Sequence, residues 1–233
     1  MIVIAHRGAE FPEHTLAGYV RAIELGVDGV ECDVRLTADG ELVLMHDATV
    51  DRTSHSHGSI ASMTLAELRS LDFDGQPIAT LREVLEVLKP AALSFSIETK
   101  HPHRFSRELE GATIELLDEV GFPRERVRVM SFSAAALKRA HDLAPDIPRV
   151  FLEEALPLCE ELPAHATIAG PGVRQLRAQP EFVERMHARG RQVHVWTVDT
   201  ADDIDFCVAL GVDALITNRS RAVLEHLGRT VGR

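Results

Sequence analysis

The chain has 233 residues, 45% of them hydrophobic and 26% charged, with 15 Gly and 11 Pro. This is enough for the core of one large domain, and it excludes disordered and collagen-like classes. With 25 basic and 36 acidic residues the net charge is −11, a field that repels nucleic acid and anionic membrane surfaces, so neither is an expected partner.

No apolar run approaches the ~20 residues of a membrane span, so no stable membrane insertion is expected. The opening MIVIAHRG lacks the basic region, long apolar stretch and cleavage site of a secretory leader. Cys32, Cys159 and Cys207 are too scattered for a disulfide or zinc framework, so the expected setting is the cytoplasm.

In chain order, apolar runs with strand character fall at residues 2–6, 29–34, 93–98, 127–131, 149–151, 166–169, 192–197 and 213–217. Helical periodicity falls between them, at 15–25, 80–88, 107–120, 133–143, 181–188, 202–210 and 221–227; the connection near 154–161 reads as a weak helix. Thr64 with Glu67 and Thr80 with Glu83 fit capping boxes, and Gly26, Gly121, Gly190 and Gly211 stand where helices should stop. Eight strands, each followed by a helix, predict a (β/α)8 TIM barrel spanning 1–233 as a single domain. The rival, an open doubly wound sheet, lacks a G-x-G-x-x-G after the first strand.

Residues 41–45 form a further apolar run, separated from the second strand by a turn containing Asp39-Gly40. An Asp-Gly pair signals a hairpin, so this run is expected to fold back antiparallel and return His46 to the level of Cys32 and Asp33. Residues 47–79 then make a small insertion between strands 2 and 3, with one short helix near 64–71.

In such a barrel, chemistry stands at the C-terminal ends of the strands. Those positions carry His6-Arg7-Gly8, Glu31-x-Asp33, His46-Asp47 and Glu98-x-Lys100. Strand alternation puts Glu31 and Asp33 on one face, with Val30, Cys32 and Val34 on the other; it likewise separates Glu98 from Phe95 and Ile97. One such acid alone reads as an ordinary ion-paired group. Three on two apolar strands repel one another unless a hard divalent cation, Mg2+ or Ca2+, sits among their oxygens. His6 and His46 are candidates to divide acid and base roles, and Arg7 and Lys100 to supply local positive charge for an oxyanion. Trp196 reads equally as a pocket wall or as barrel packing. Cys32 should face the helices, and the pairs His55/His57 and His101/His103 read as exposed loop residues.

With these residues assembled, the chain resembles the glycerophosphodiester phosphodiesterase family. The matching stretches are HRG at 6–8, PEHT at 12–15, GVECDVRLTADGELVLMHD at 29–47, DRTS at 51–54, IATLREVL from 78, IETK at 97–100, VWTVD from 195 and ALITN from 214. The resemblance implies a TIM barrel with an insertion between strands 2 and 3, and metal ligands at Glu31, Asp33 and Glu98. It further implies His6 and His46 as the acid–base pair, with Arg7 and Lys100 on the phosphodiester. The expected substrate is a small glycerophosphodiester, hydrolysed to sn-glycerol 3-phosphate and an alcohol. The alternatives are lysophospholipase D-type or cyclising action on longer lipids, an enolate lyase, and a barrel that binds such diesters without turnover. The departure is His14, where the family usually carries Asn.

Overall fold

The computed structural model describes residues 1–101 and 108–232. Eight strands run parallel and close on themselves: β1 (Ile2–Ala5), β2 (Gly29–Leu36), β4 (Ser94–Thr99), β5 (Val127–Ser131), β6 (Arg149–Glu153), β7 (Ile168–Pro171), β8 (Gln192–Val195) and β9 (Ala214–Thr217). The last strand pairs with the first, Ile2 opposite Ala214 through Ala5 opposite Thr217, and β1 also pairs with β2. The molecule is therefore the expected (β/α)8 barrel.

Around it run α1 (Leu16–Leu25), α3 (Leu81–Leu88), α4 (Leu109–Val120), α5 (Ala134–Leu143), α6 (Val173–Ala178), α7 (Phe182–His187), α8 (Ala201–Leu210) and α9 (Ser220–His226). The helix expected from 107 begins, within the described residues, at Leu109, since Arg107 lies outside them. Two corrections follow. The stretch 154–161 is bends and irregular backbone rather than helix, because Pro157 and Pro163 each remove an amide donor and block the preceding turn. Between β7 and β8 there are two short helices where periodicity suggested only the second.

Alternation along the strands decides which side chains reach the barrel axis. Val30, Cys32, Val34, Phe95 and Ile97 join the apolar layer against the helices. Their neighbours Glu31, Asp33, Ser96 and Glu98 are buried on the other side. The interior itself is filled by Ile4, Met130, Val150, Leu152, Ile168, Ala214 and Ile216.

The excursion is β3 (Leu42–Leu44), antiparallel to β2, with Val34 opposite Leu44 and Leu36 opposite Leu42. Met45 donates its amide to the Asp33 carbonyl at 3.0 Å, so His46 arrives level with Cys32 as the hairpin predicts. Residues beyond it fold over a small apolar cluster of Val43, Met45, Val50, Ile60, Leu68, Phe73 and Ile78. Within it α2 (Leu65–Arg69) carries the Thr64–Glu67 capping box, and α3 carries that of Thr80 and Glu83.

Candidate active site

The HRG turn leaves β1 through a tight backbone path. Gly8 has φ 94°, and a Cβ there would lie 3.1 Å from the Gly18 carbonyl carbon at the start of α1. Only glycine combines that φ with so close an approach. The turn puts His6 and Arg7 over the mouth of the barrel, beside the carboxylates of β2 and β4.

Glu31, Asp33 and Glu98 converge there. One ligand oxygen from each lies within 4.8 Å of the others. Burial, with Asp33 and Glu98 alongside, pushes Glu31 well above the usual carboxylate range. Burial and Asp33 push Glu98 up to about 8. Asp33 goes the other way: burial would raise it, but the hydrogen bond with His14 and the charges of Lys100 and Arg7 hold it well below its ordinary value. The geometry is explicit. Lys100 Nζ lies 2.9 Å from Asp33 Oδ1 and 2.8 Å from Glu98 Oε1, while Arg7 Nε is 3.0 Å from Asp33 Oδ2. The two cations thus lie within the acidic cluster as well as beside the cleft.

His14 completes this arrangement. It is buried, with Nε2 2.9 Å from Asp33 Oδ2 and Nδ1 3.1 Å from the Tyr19 hydroxyl, which donates to the Glu31 carbonyl at 3.2 Å. The residue that departs from the family pattern therefore spans from α1 to the carboxylate cluster and orients Asp33 directly.

The two histidines are held alike. His6 Nδ1 lies 2.7 Å from Asn218 Oδ1. Asp199 accepts from the Asn218 side-chain amide at 2.7 Å and from its backbone N–H at 2.8 Å. A carboxylate only accepts, so Asn218 must turn Oδ1 toward His6, and His6 Nδ1 carries the proton. His46 Nδ1 lies 2.7 Å from Asp47 Oδ1, which makes it a donor in the same way. In both rings Nε2 is left to act. Burial, helped by the Arg7 charge, lowers His6 to about 4. Burial lowers His46 too, against the pull of Asp47. A chain of ion pairs joins the two loops: Arg52 bridges Asp47 and Glu13 at 2.5 Å each, and Glu13 accepts from Arg7 at 3.0 Å.

All eight residues singled out in the sequence lie at this mouth, and a cleft of about 350 Å³ is lined by His6, Arg7, Glu31, His46, Glu98, Lys100 and Trp196. Asp33 sits beneath it, fully buried. Trp196 serves both expected roles: it lines the cleft and packs on the interior layer, with Nε1 donating to the Gly170 carbonyl at 2.7 Å and Phe132 edge-on at 5.5 Å.

Sequence reasoning missed three groups. Arg35 lines the cleft and donates twice to the His46 carbonyl, at 3.2 and 2.6 Å; continuing the alternation two residues past Asp33 would have found it. Asn218 sat within a quoted motif without a role. His101 is not in an exposed loop but half-buried on the cleft wall, because a carboxylate on α4 pulls it inward. Its companion His103 lies outside the described residues. His55 and His57 are exposed as expected, and Cys32 is buried against the helices, its thiol raised far above its normal value by burial and by Glu31.

Residues 6–222 match the family described as the glycerophosphoryl diester phosphodiesterase family. A probable glycerophosphodiester phosphodiesterase 1 of Mycobacterium tuberculosis is 41% identical, covering 99% of this chain and 94% of its own. A glycerophosphodiester phosphodiesterase of Caldanaerobacter subterraneus is 36% identical over 93% of each. Among solved structures, a phosphodiesterase of Oleispira antarctica in complex with the product sn-glycerol-3-phosphate superimposes with a TM-score of 0.88. It is 27% identical and covers 98% of this chain and 97% of its own.

Proposed function

Because the chain belongs to the glycerophosphoryl diester phosphodiesterase family and hydrolyses glycerophosphodiesters, we propose that His6 and His46 are its acid–base pair. The products we assign are sn-glycerol 3-phosphate and an alcohol, in keeping with the product held by the Oleispira enzyme. The observation that carries the reading is the matched anchoring of the two rings. Each donates a hydrogen bond from Nδ1 to a fixed oxygen, of Asn218 or Asp47, and lines one cleft with Nε2 left to act. One Nε2 takes the proton of the nucleophile and the other returns a proton to the departing alkoxide.

A divalent cation completes the site. Glu31, Asp33 and Glu98 are its proposed ligands, and they fit: three hard oxygen donors close together, two of them strained upward by burial and mutual repulsion. Both Mg2+ and Ca2+ suit such donors. When bound, the cation supplies charge stabilisation to the phosphoryl oxygens. Arg7 and Lys100 orient the phosphodiester as donors from the cleft wall, and Trp196 closes the apolar side. Residues 1–233 act as one catalytic domain, with 47–79 as its insertion.

The test is choline release from glycerophosphocholine, with and without metal, in native protein and in His6→Ala and His46→Ala. Each replacement should lower kcat by ~10²–10⁴, the usual worth of general acid–base catalysis, while metal content holds. A diester with a nitrophenol leaving group, which departs unprotonated, should rescue only the variant lacking the acid. Equal losses on good and poor leaving groups in both variants would overturn the pair. Full turnover after exhaustive chelation would remove the metal.

A further inference from the structure

Glu110 is a carboxylate that the chemistry above does not use. It lies on α4, outside the barrel wall, with its side chain fully out of solvent. A charge buried there needs partners, and it has two. Arg139 on α5 donates Nε to Oε2 at 2.7 Å, and His101 Nε2 lies 2.7 Å from Oε1. Burial pushes this carboxyl up, and the bonds from His101 and Arg139 more than reverse the push.

Arg139 alone supplies a full counter-charge, so the histidine is not required to neutralise the acid. What it adds is reach. His101 follows Lys100 at the end of β4 and lines the cleft with His6, His46 and Lys100. Because Glu110 only accepts, Nε2 carries the proton in the neutral ring and Nδ1 is left as an acceptor. Nδ1 has no hydrogen-bond partner among the described residues, yet it is not one of the buried side-chain atoms that lack a partner. It therefore keeps contact with solvent, on a ring that lines the cleft. Phosphoryl oxygens need donors, which Arg7 and Lys100 provide, so a fixed acceptor on this wall suits an O–H group.

We propose that His101 is a substrate-contacting residue that accepts a hydrogen bond from a hydroxyl on the glycerol half of the diester, with Glu110 and Arg139 as positioning residues. The proposal rests on the diesterase reading above. The glycerol half is the match because every glycerophosphodiester carries hydroxyls there, whereas an alcohol half such as choline has none once esterified.

The test compares two competitive inhibitors, sn-glycerol 3-phosphate and n-propyl phosphate, which share the phosphate and differ in the hydroxyls. A site that hydrogen-bonds a hydroxyl discriminates sharply against the analogue lacking it, so native protein should prefer glycerol 3-phosphate by on the order of 10–100-fold. In His101→Phe that preference should shrink about tenfold, through weaker binding of glycerol 3-phosphate alone. His101→Gln, which keeps an acceptor oxygen, should recover part of it. Glu110→Gln should produce a smaller selective loss, and it carries the comparison if His101→Phe does not fold. Parallel weakening of both inhibitors would assign His101 to the phosphate side through Lys100 and overturn the proposal. An unchanged preference would make the triad a packing device and overturn it as well. Failure of the diesterase reading shows separately, as native protein that releases no choline from glycerophosphocholine.

Discussion

The mouth of the barrel has two unlike arcs. From β1 to β4 it is a dense array of charge: two histidines, three carboxylates, Arg7, Arg35 and Lys100, tied to one another at 2.6–3.2 Å, apart from His6, which lies 3.8 Å from Glu31. From β5 to β9 it is chiefly apolar, with Met130, Phe132, Leu152, Trp196 and Ile216 facing the same cleft. The charged arc holds groups whose pKa values are forced apart by their neighbours. The apolar arc offers few hydrogen-bonding groups to compete and lowers the local dielectric, which strengthens the charge interactions opposite it. The division teaches that reactivity and shape are supplied by different parts of the chain.

The hardest blow to this division is a carboxylate replacement. Glu98→Gln should lower kcat by about 10³ or more, since charge stabilisation by a cation is worth several kcal/mol. Elemental analysis should show metal content falling in parallel. Leu152→Ala, on the other arc, should leave the metal in place, and equal metal loss in both variants would erase the distinction.

Acid stability probes the two arcs at once. His6 on the charged arc and His194 within the apolar half are each lowered to about 4, chiefly by burial. An unfolded histidine titrates near 6.5, so the unfolded chain binds the extra protons between those values. Stability should then fall as pH drops from about 6.5 to about 4, by roughly 3 kcal/mol for each ring. His194→Leu should flatten the denaturant-midpoint profile over that window by one proton's worth. Parallel native and variant profiles would show His194 charging freely in the fold.

Asn218 crosses the division, because it lies just past β9 and serves His6. Asn218→Leu should cost 10–100-fold in kcat, about the penalty for losing the partner that orients a functional histidine. KM should move little. A loss confined to KM would place Asn218 on the substrate instead. The smallest effect belongs to the apolar wall itself: Trp196→Leu should raise KM by less than about tenfold with kcat retained, as expected for contacts made equally in ground and transition states.

The charged arc was legible in the sequence because its residues lie close together along the chain. Strand period puts Glu31 with Asp33, the Asp39-Gly40 turn returns His46 to them, and Glu98-x-Lys100 repeats the spacing one strand on. Residues in one short stretch constrain each other's directions through the backbone alone. Arg35 obeys the same period, and its bond to the His46 carbonyl follows from the hairpin that brings the two strands together. The partners from elsewhere were not readable. Nothing along the chain says that Asn218 meets His6, that Glu110 on a helix draws His101 inward, or that His14 spans to Asp33. Those pairings exist only once the barrel has closed. The same holds for the fold: the eight strands announced themselves by apolar runs, while α6 buries only Val173 and Leu176, too few apolar positions to mark a period, where α7 of equal length buries Phe182, Val183 and Met186.

The bond between His6 and Asn218 joins positions 212 residues apart. During synthesis the charged arc leaves the ribosome early, as a string of acids and histidines, long before β9 exists to pair with β1. Non-local pairing of this kind is intrinsically slow, because the loop must close before its contacts form. The tautomer of the His6 ring is thus selected by a residue 212 positions further along the chain. A chain truncated before residue 218 would carry both histidines and all three acids and still leave the His6 tautomer unset.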